Sequence, residues 1–191
     1  IQQHQISISG GTAATQVYLS GTYYDEIGTI KGQDFTRYNI KLNVDHIISK
    51  RLKVGASTSF LSSIQNRGSN LYGSAIKMSP RAVPYDNDGL IVNYPGNETF
   101  NVNPIYDIDG LIDERKRNRF FSAIYLEWEP IKELKYRLNA SPDFSNYRNG
   151  QFQESLTNAR VDGGSRAIYN TQGNINYVLE NILTYNKTIN D

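Results

Sequence analysis

Histidine, cysteine and paired carboxylates are the first places to look for chemistry, and this chain offers few. Its only histidines are His4 and His46, far apart, and it has no cysteine. Disulfides and thiolate metal sites are therefore excluded. Two acidic runs, Tyr85–Gly89 (YDNDG) and Asp107–Gly110 (DIDG), alternate oxygens next to a glycine. That arrangement suits a hard cation, but neither run is followed by the distant bidentate Glu of a full calcium loop. The commoner reading of Asp-Gly is a plain turn. Serines are many, yet no G-x-S-x-G elbow occurs. The residues point to no enzyme, no cofactor and no metal.

What remains is binding chemistry. Tyr72, Tyr85, Tyr94 and Tyr106 are spread through one long irregular stretch, and aromatic faces stack on sugars. They are candidates for glycan contact, against packing within an ordered loop. Arg37, Asn39, Lys41, Asn43, Lys135, Arg137 and Asn139 form a polar set that could line a substrate path. Polar lining is also what any water-filled barrel needs. The basic cluster ERKRNR, Glu114–Arg119, could touch an anionic ligand or lipopolysaccharide. The simpler reading is a solvated strand end.

These residues must be held by strands. In Phe35–His46 the positions Tyr38, Ile40, Leu42 and Val44 alternate with Arg37, Asn39, Lys41, Asn43 and Asp45. Successive strand side chains point to opposite faces, so one face is apolar and the other watery. The pattern recurs near 3–9, 15–26, 35–48, 52–62, 119–129, 133–147 and 174–187. Val178 and Ile182 interrupt it on the polar face of the last segment. Long loops fill 64–118, with four prolines and a short helix expected at LYGSAIKM, and 148–172. The connections GGTAA, SKR and EPIKE are short and the intervening ones long. Outer-membrane barrels segregate their loops in this way. Tyr23, Phe35, Tyr38, Phe60, Phe120 and Phe144 lie toward the long-loop ends, and Trp128, Tyr136 and Tyr185 toward the short turns, as two interfacial girdles would.

Composition agrees. The 191 residues carry 20 basic against 19 acidic side chains, which argues against a nucleic-acid binder. Hydrophobic residues make up 38 %, and no run approaches the ~20 apolar residues of a spanning helix. The expected fold is all-β, an antiparallel up-and-down meander of about seven strands forming part of a large transmembrane β-barrel. The alternative is a soluble β-sandwich module that binds a ligand through its loops. A chain that opens IQQHQ and ends YNKTIND reads as a piece of a longer protein, with residues 1–191 one partial barrel domain.

The pieces SISGGT (Ser7–Thr12), YY-x-x-x-G (Tyr23–Gly28), FTRYNIKLNVDH (Phe35–His46), LKVGAS (Leu52–Ser57) and VLENILTYNKT (Val178–Thr188) resemble the SusC/RagA-like family of TonB-dependent outer-membrane transporters of Bacteroidetes. The resemblance implies a Gram-negative outer-membrane location amid outer-membrane lipid and a large barrel with an internal plug. It also implies a SusD-like lipoprotein lid, energy from the TonB system, and import of glycans or peptides. The plug and the TonB-contacting segment are absent, so this chain would supply wall, lumen lining and extracellular loops.

Overall fold

The computed structural model describes residues 1–96, 101–160 and 163–188. Seven strands follow in order: β1 (Gln2–Gly11), β2 (Thr15–Ile27), β3 (Asp34–Ser49), β4 (Leu52–Asn66), β5 (Leu111–Ile131), β6 (Leu134–Gln153) and β7 (Arg166–Tyr185). Each pairs antiparallel with its sequence neighbour in one seven-stranded sheet of order β1 to β7. The tight turns after β1, β3 and β5 leave no room for crossovers there. At the first, the Thr12 hydroxyl accepts from the backbone of Ala14 and Thr15.

The register fixes the two faces. Val17, Val44 and Ala56 align, as do Leu19, Leu42 and Thr58 on the same face. Val54, Leu126 and Leu138 continue it, and Leu179 joins opposite Ala140. Lys41, Asn43, Lys53, Glu127, Arg137 and Glu180 occupy the other face, one residue out of step.

The apolar face is uncovered. Ile40, Ile124, Phe144 and Leu179 are all exposed, and the buried apolar core among the described residues is Val102 alone. A sandwich would lay a second sheet on this face. Only one sheet exists among the described residues, so the soluble sandwich is set aside. Among the described residues no helix is long and apolar enough to cross a membrane.

Aromatic residues border that face at two heights. Tyr23 pairs with Tyr38, and Phe60, Phe120 and Phe144 lie in one row, with Phe120 and Phe144 ring centroids 6.1 Å apart. Trp128 pairs with Tyr136 at the short-turn end, and Tyr185 stands on the same face opposite Leu134. Phe35 does not join the girdle. It pairs with Glu26 and Gln65 and faces the polar side with Arg37. From Phe120 to Trp128 is about eight rises of ~3.4 Å, or ~27 Å along the strand and ~20 Å at a tilt of about 40°. That matches the apolar band of an outer-membrane barrel wall.

Strand ends differ from the sequence expectation. β5 begins at Leu111 rather than near 119, β6 runs to Gln153 rather than 147, and β7 begins at Arg166 rather than 174. The long loops accordingly narrow to 67–110 and 154–165. β5, β6 and β7 have 21, 20 and 20 residues, whereas a bilayer needs only about 9–11 per strand. In the outer half of β5 both faces are polar from Glu114 to Arg119, so the alternation disappears there. The expected helix at LYGSAIKM appears as α1 (Leu71–Ala75), with the Asn70 side chain accepting from the Gly73 amide. A second short helix, α2 (Tyr106–Gly110), leads directly into β5.

Candidate functional site

Two surfaces can meet a solute: the polar face of the sheet and the layer of long loops above it. On the polar face, strand pairing sets β3, β4, β5 and β6 side by side. Glu127, largely buried, holds Lys135 Nζ at 2.6 Å and Arg137 at 3.4 Å. The Arg137 Nε donates to Asn139 Oδ1 at 2.9 Å, and its guanidinium lies 4.8 Å above the Tyr125 ring. Tyr125 donates its hydroxyl to Asp45 Oδ1 at 2.7 Å. Between them Gly55 leaves the space that the ring occupies, since a Cβ there would collide with Tyr125. Ion pairs in contact with water contribute about 0.2–1 kcal/mol each. This network therefore ties strands together, and it commits Arg137 to the wall.

Higher up, Arg37, Arg115 and Arg117 border one concavity of about 650 Å³ with Phe35, Tyr147 and Gln172. Arg37 sits 5.3 Å over the Tyr24 ring. Arg117 makes no ion pair among the described residues. Arg115 is 3.9 Å from Asp113, which Arg67 approaches to 3.1 Å, and its Nε is buried without a hydrogen-bond partner. Arg119 is different: its fork closes on Asp143 at 2.9 and 2.7 Å. Lys41 shares the polar face but lies outside this concavity. Of Arg37, Lys41 and Arg137, the structure thus places only Arg37 in a cleft with further cations.

The loop layer is built by buried amides. Asn103, 1 % exposed, donates to the carbonyls of Pro84 and Val92 and accepts from the Ile105 amide. Asp107, also buried, accepts from the Asn158 backbone at 2.8 Å and from its side-chain amide at 3.1 Å. Asn158 also donates to the Val102 carbonyl. Loop 67–110 is thereby latched to loop 154–165. The Asp86 carboxylate accepts from the amides of Asp88 and Leu90, so the YDNDG run closes a turn on itself. The DIDG run lies in α2, with Asp107 used in the latch.

The four tyrosines do not converge. Tyr94 and Tyr106 line a cleft of about 300 Å³ between the two loops, with Asn93, Val102 and Leu156. Tyr106 donates to Asn93 Oδ1 at 2.7 Å. Tyr72 on α1 is 70 % exposed, and Tyr85, which bridges to Ile91, lies outside the cleft. The histidines are structural neighbours of other groups: His46 Nδ1 is 2.7 Å from Thr15 Oγ1, and His4 stacks on Tyr23. Sequence reasoning missed Asn103 and Asn158, and met Asp107 only as part of the DIDG run. It met Arg115 and Arg117 only as a basic cluster, although counting back in twos from Phe121 places both on the polar face.

A single sheet with one lipid-suited face, two aromatic borders and a polar, arginine-lined inner face defines a wall segment of a transmembrane β-barrel. No protein-family model matches the chain. Over 98 % of its length it is 29 % identical to TonB-dependent receptor P3 of Formosa agariphila. It is 27 % identical to TonB-dependent receptor P26 of the same organism over 100 % of its length. It spans 20 % of each of those relatives. Its fold matches 22 % of a chain of the RagAB peptide importer, covering 99 % of this chain. The TM-scores are 0.78 for the open-open state and 0.72 for the closed-closed state, both at 23 % identity. The resemblance to the SusC/RagA-like TonB-dependent receptors is borne out by these relatives.

Proposed function

We propose that this chain is the wall, lumen lining and extracellular loop segment of an outer-membrane TonB-dependent transporter that imports glycans or peptides. The observation that carries the reading is the pair of faces: an uncovered apolar band between aromatic borders, backed by a continuous polar surface. The relation to TonB-dependent receptors supports transport, and the likeness to the RagAB peptide importer supports a peptide or related oligomer as cargo. In the parent protein the arginine concavity lines the lumen, and Tyr94 and Tyr106 offer stacking surface to an entering chain. The latched loops 67–110 and 154–165 form the seat for a lipoprotein lid. Energy comes from the TonB system through parts of the parent outside this chain.

The test is made on the full-length receptor. Replacing residues 67–110 by a short turn should leave outer-membrane insertion intact, release the lid lipoprotein on affinity purification and lower the uptake rate. Import at the normal rate would refute the loop's role. Recovery of the unaltered receptor in the soluble fraction would refute the membrane reading itself.

A further inference from the structure

Lys116 on β5 and Arg148 on β6 are direct cross-strand partners. The two-residue period places them on the face of Phe120 and Phe144, four residues nearer the loops. That is ~13 Å farther along the strand and ~10 Å farther out at a tilt of about 40°. The pair therefore stands just outside the apolar band, at the height of lipid headgroups.

Like charges directly opposite one another across a ladder are destabilising. No ion pair among the described residues relieves this pair. Glu114, the acid on the same face of β5, sits opposite Gly150 and bonds to neither. Ile64 and Thr171 flank the row on β4 and β7 and add no charge. Asp34, farther along the face, accepts both hydrogen bonds of the Asn66 amide. Both cations are half-buried, which holds them against the strands. Two opposed cations that form no ion pair, with one exposed acid a row away, leave room for an external anion.

We propose that Lys116 and Arg148 form a binding site for a phosphate group of lipopolysaccharide in the outer leaflet. The inference rests on the barrel-wall reading above. The pair faces outward, so an imported nutrient in the lumen does not meet it. A guanidinium offers phosphate a planar two-donor fork, and the adjacent ammonium adds a compact charge. A phosphate between them replaces repulsion by two charge-assisted contacts.

The full-length receptor, purified in detergent, is titrated with rough lipopolysaccharide and read by native mass spectrometry. Dephosphorylated lipopolysaccharide and phosphatidylglycerol serve as comparison ligands. Removing both charges in K116Q/R148Q should weaken lipopolysaccharide binding roughly thirtyfold, about fivefold per cation. The exchange K116R/R148K should retain it. Wild-type receptor should lose the same affinity toward the dephosphorylated ligand, a comparison that needs no variant to fold. Equal binding by K116Q/R148Q, or equal binding of the dephosphorylated ligand, overturns the proposal. Displacement by phosphatidylglycerol at equal concentration overturns the assignment to lipopolysaccharide. Heat-modifiable migration on a gel reports the folded barrel separately. A receptor lacking it and found soluble overturns the barrel reading and this site together.

Discussion

Placing an arginine at Ile124 separates a membrane wall from a soluble sheet. Ile124 is 46 % exposed on the apolar face, midway between Phe120 and Trp128. Each border is ~13 Å away along the strand, so the side chain lies near the bilayer midplane. An arginine on the lipid face there costs about 2–4 kcal/mol. The urea midpoint falls by that loss divided by the receptor's own denaturant slope, which is read from the same curves. Ser141→Arg is the matched control, since Ser141 is one row away on the polar face with Asn139 and Asp143 and should cost little. The assay is urea unfolding of the full-length receptor in lipid vesicles, followed by tryptophan fluorescence. Were the apolar face in water, Ile124→Arg would move stability by no more than about 0.5 kcal/mol. An unshifted midpoint, or equal losses for the two variants, would refute the assignment of faces.

Three further outcomes follow from particular contacts. Gly55→Ala should push the Tyr125 ring off β4, break its bond to Asp45 and cost about 1–3 kcal/mol in the same unfolding assay. Asp107→Ala strips the Asn158 amides of their acceptor, a loss of about 1–3 kcal/mol confined to the loop latch. Limited proteolysis should then nick loop 67–110 faster while the barrel remains heat-modifiable. Glu127→Gln should weaken the links to Lys135 and Arg137 by no more than about 1 kcal/mol. That difference should shrink as salt rises in parallel urea titrations.

The wall was legible where water and lipid impose opposite demands. Ile40, Leu42 and Val44 against Lys41 and Asn43 announced β3 because each side chain has one acceptable face. The outer half of β5 was not legible. Glu114, Lys116 and Asn118 share the outward face of Ile124 and Trp128 but stand beyond the apolar band, where the outward face need not be apolar. The same change hid the start of β7 and the end of β6. Phe35 was misplaced because nearness to a loop does not fix a face, whereas its pairing with Glu26 does. The loop latch was beyond reach for another reason. Asp107 and Asn158 are 51 positions apart, and no local pattern marks a carboxylate that accepts from so distant an amide.

A spin-label scan through β3 tests the central claim most directly. Nitroxides are attached in turn at Ile40, Lys41, Leu42, Asn43 and Val44 of the full-length receptor in vesicles. Collision rates with dissolved oxygen, which concentrates in lipid, are compared with those of a water-soluble nickel complex. A membrane barrel wall requires oxygen-favoured collisions at Ile40, Leu42 and Val44, and nickel-favoured collisions at Lys41 and Asn43. Nickel access at all five positions, or a period other than two, would contradict it.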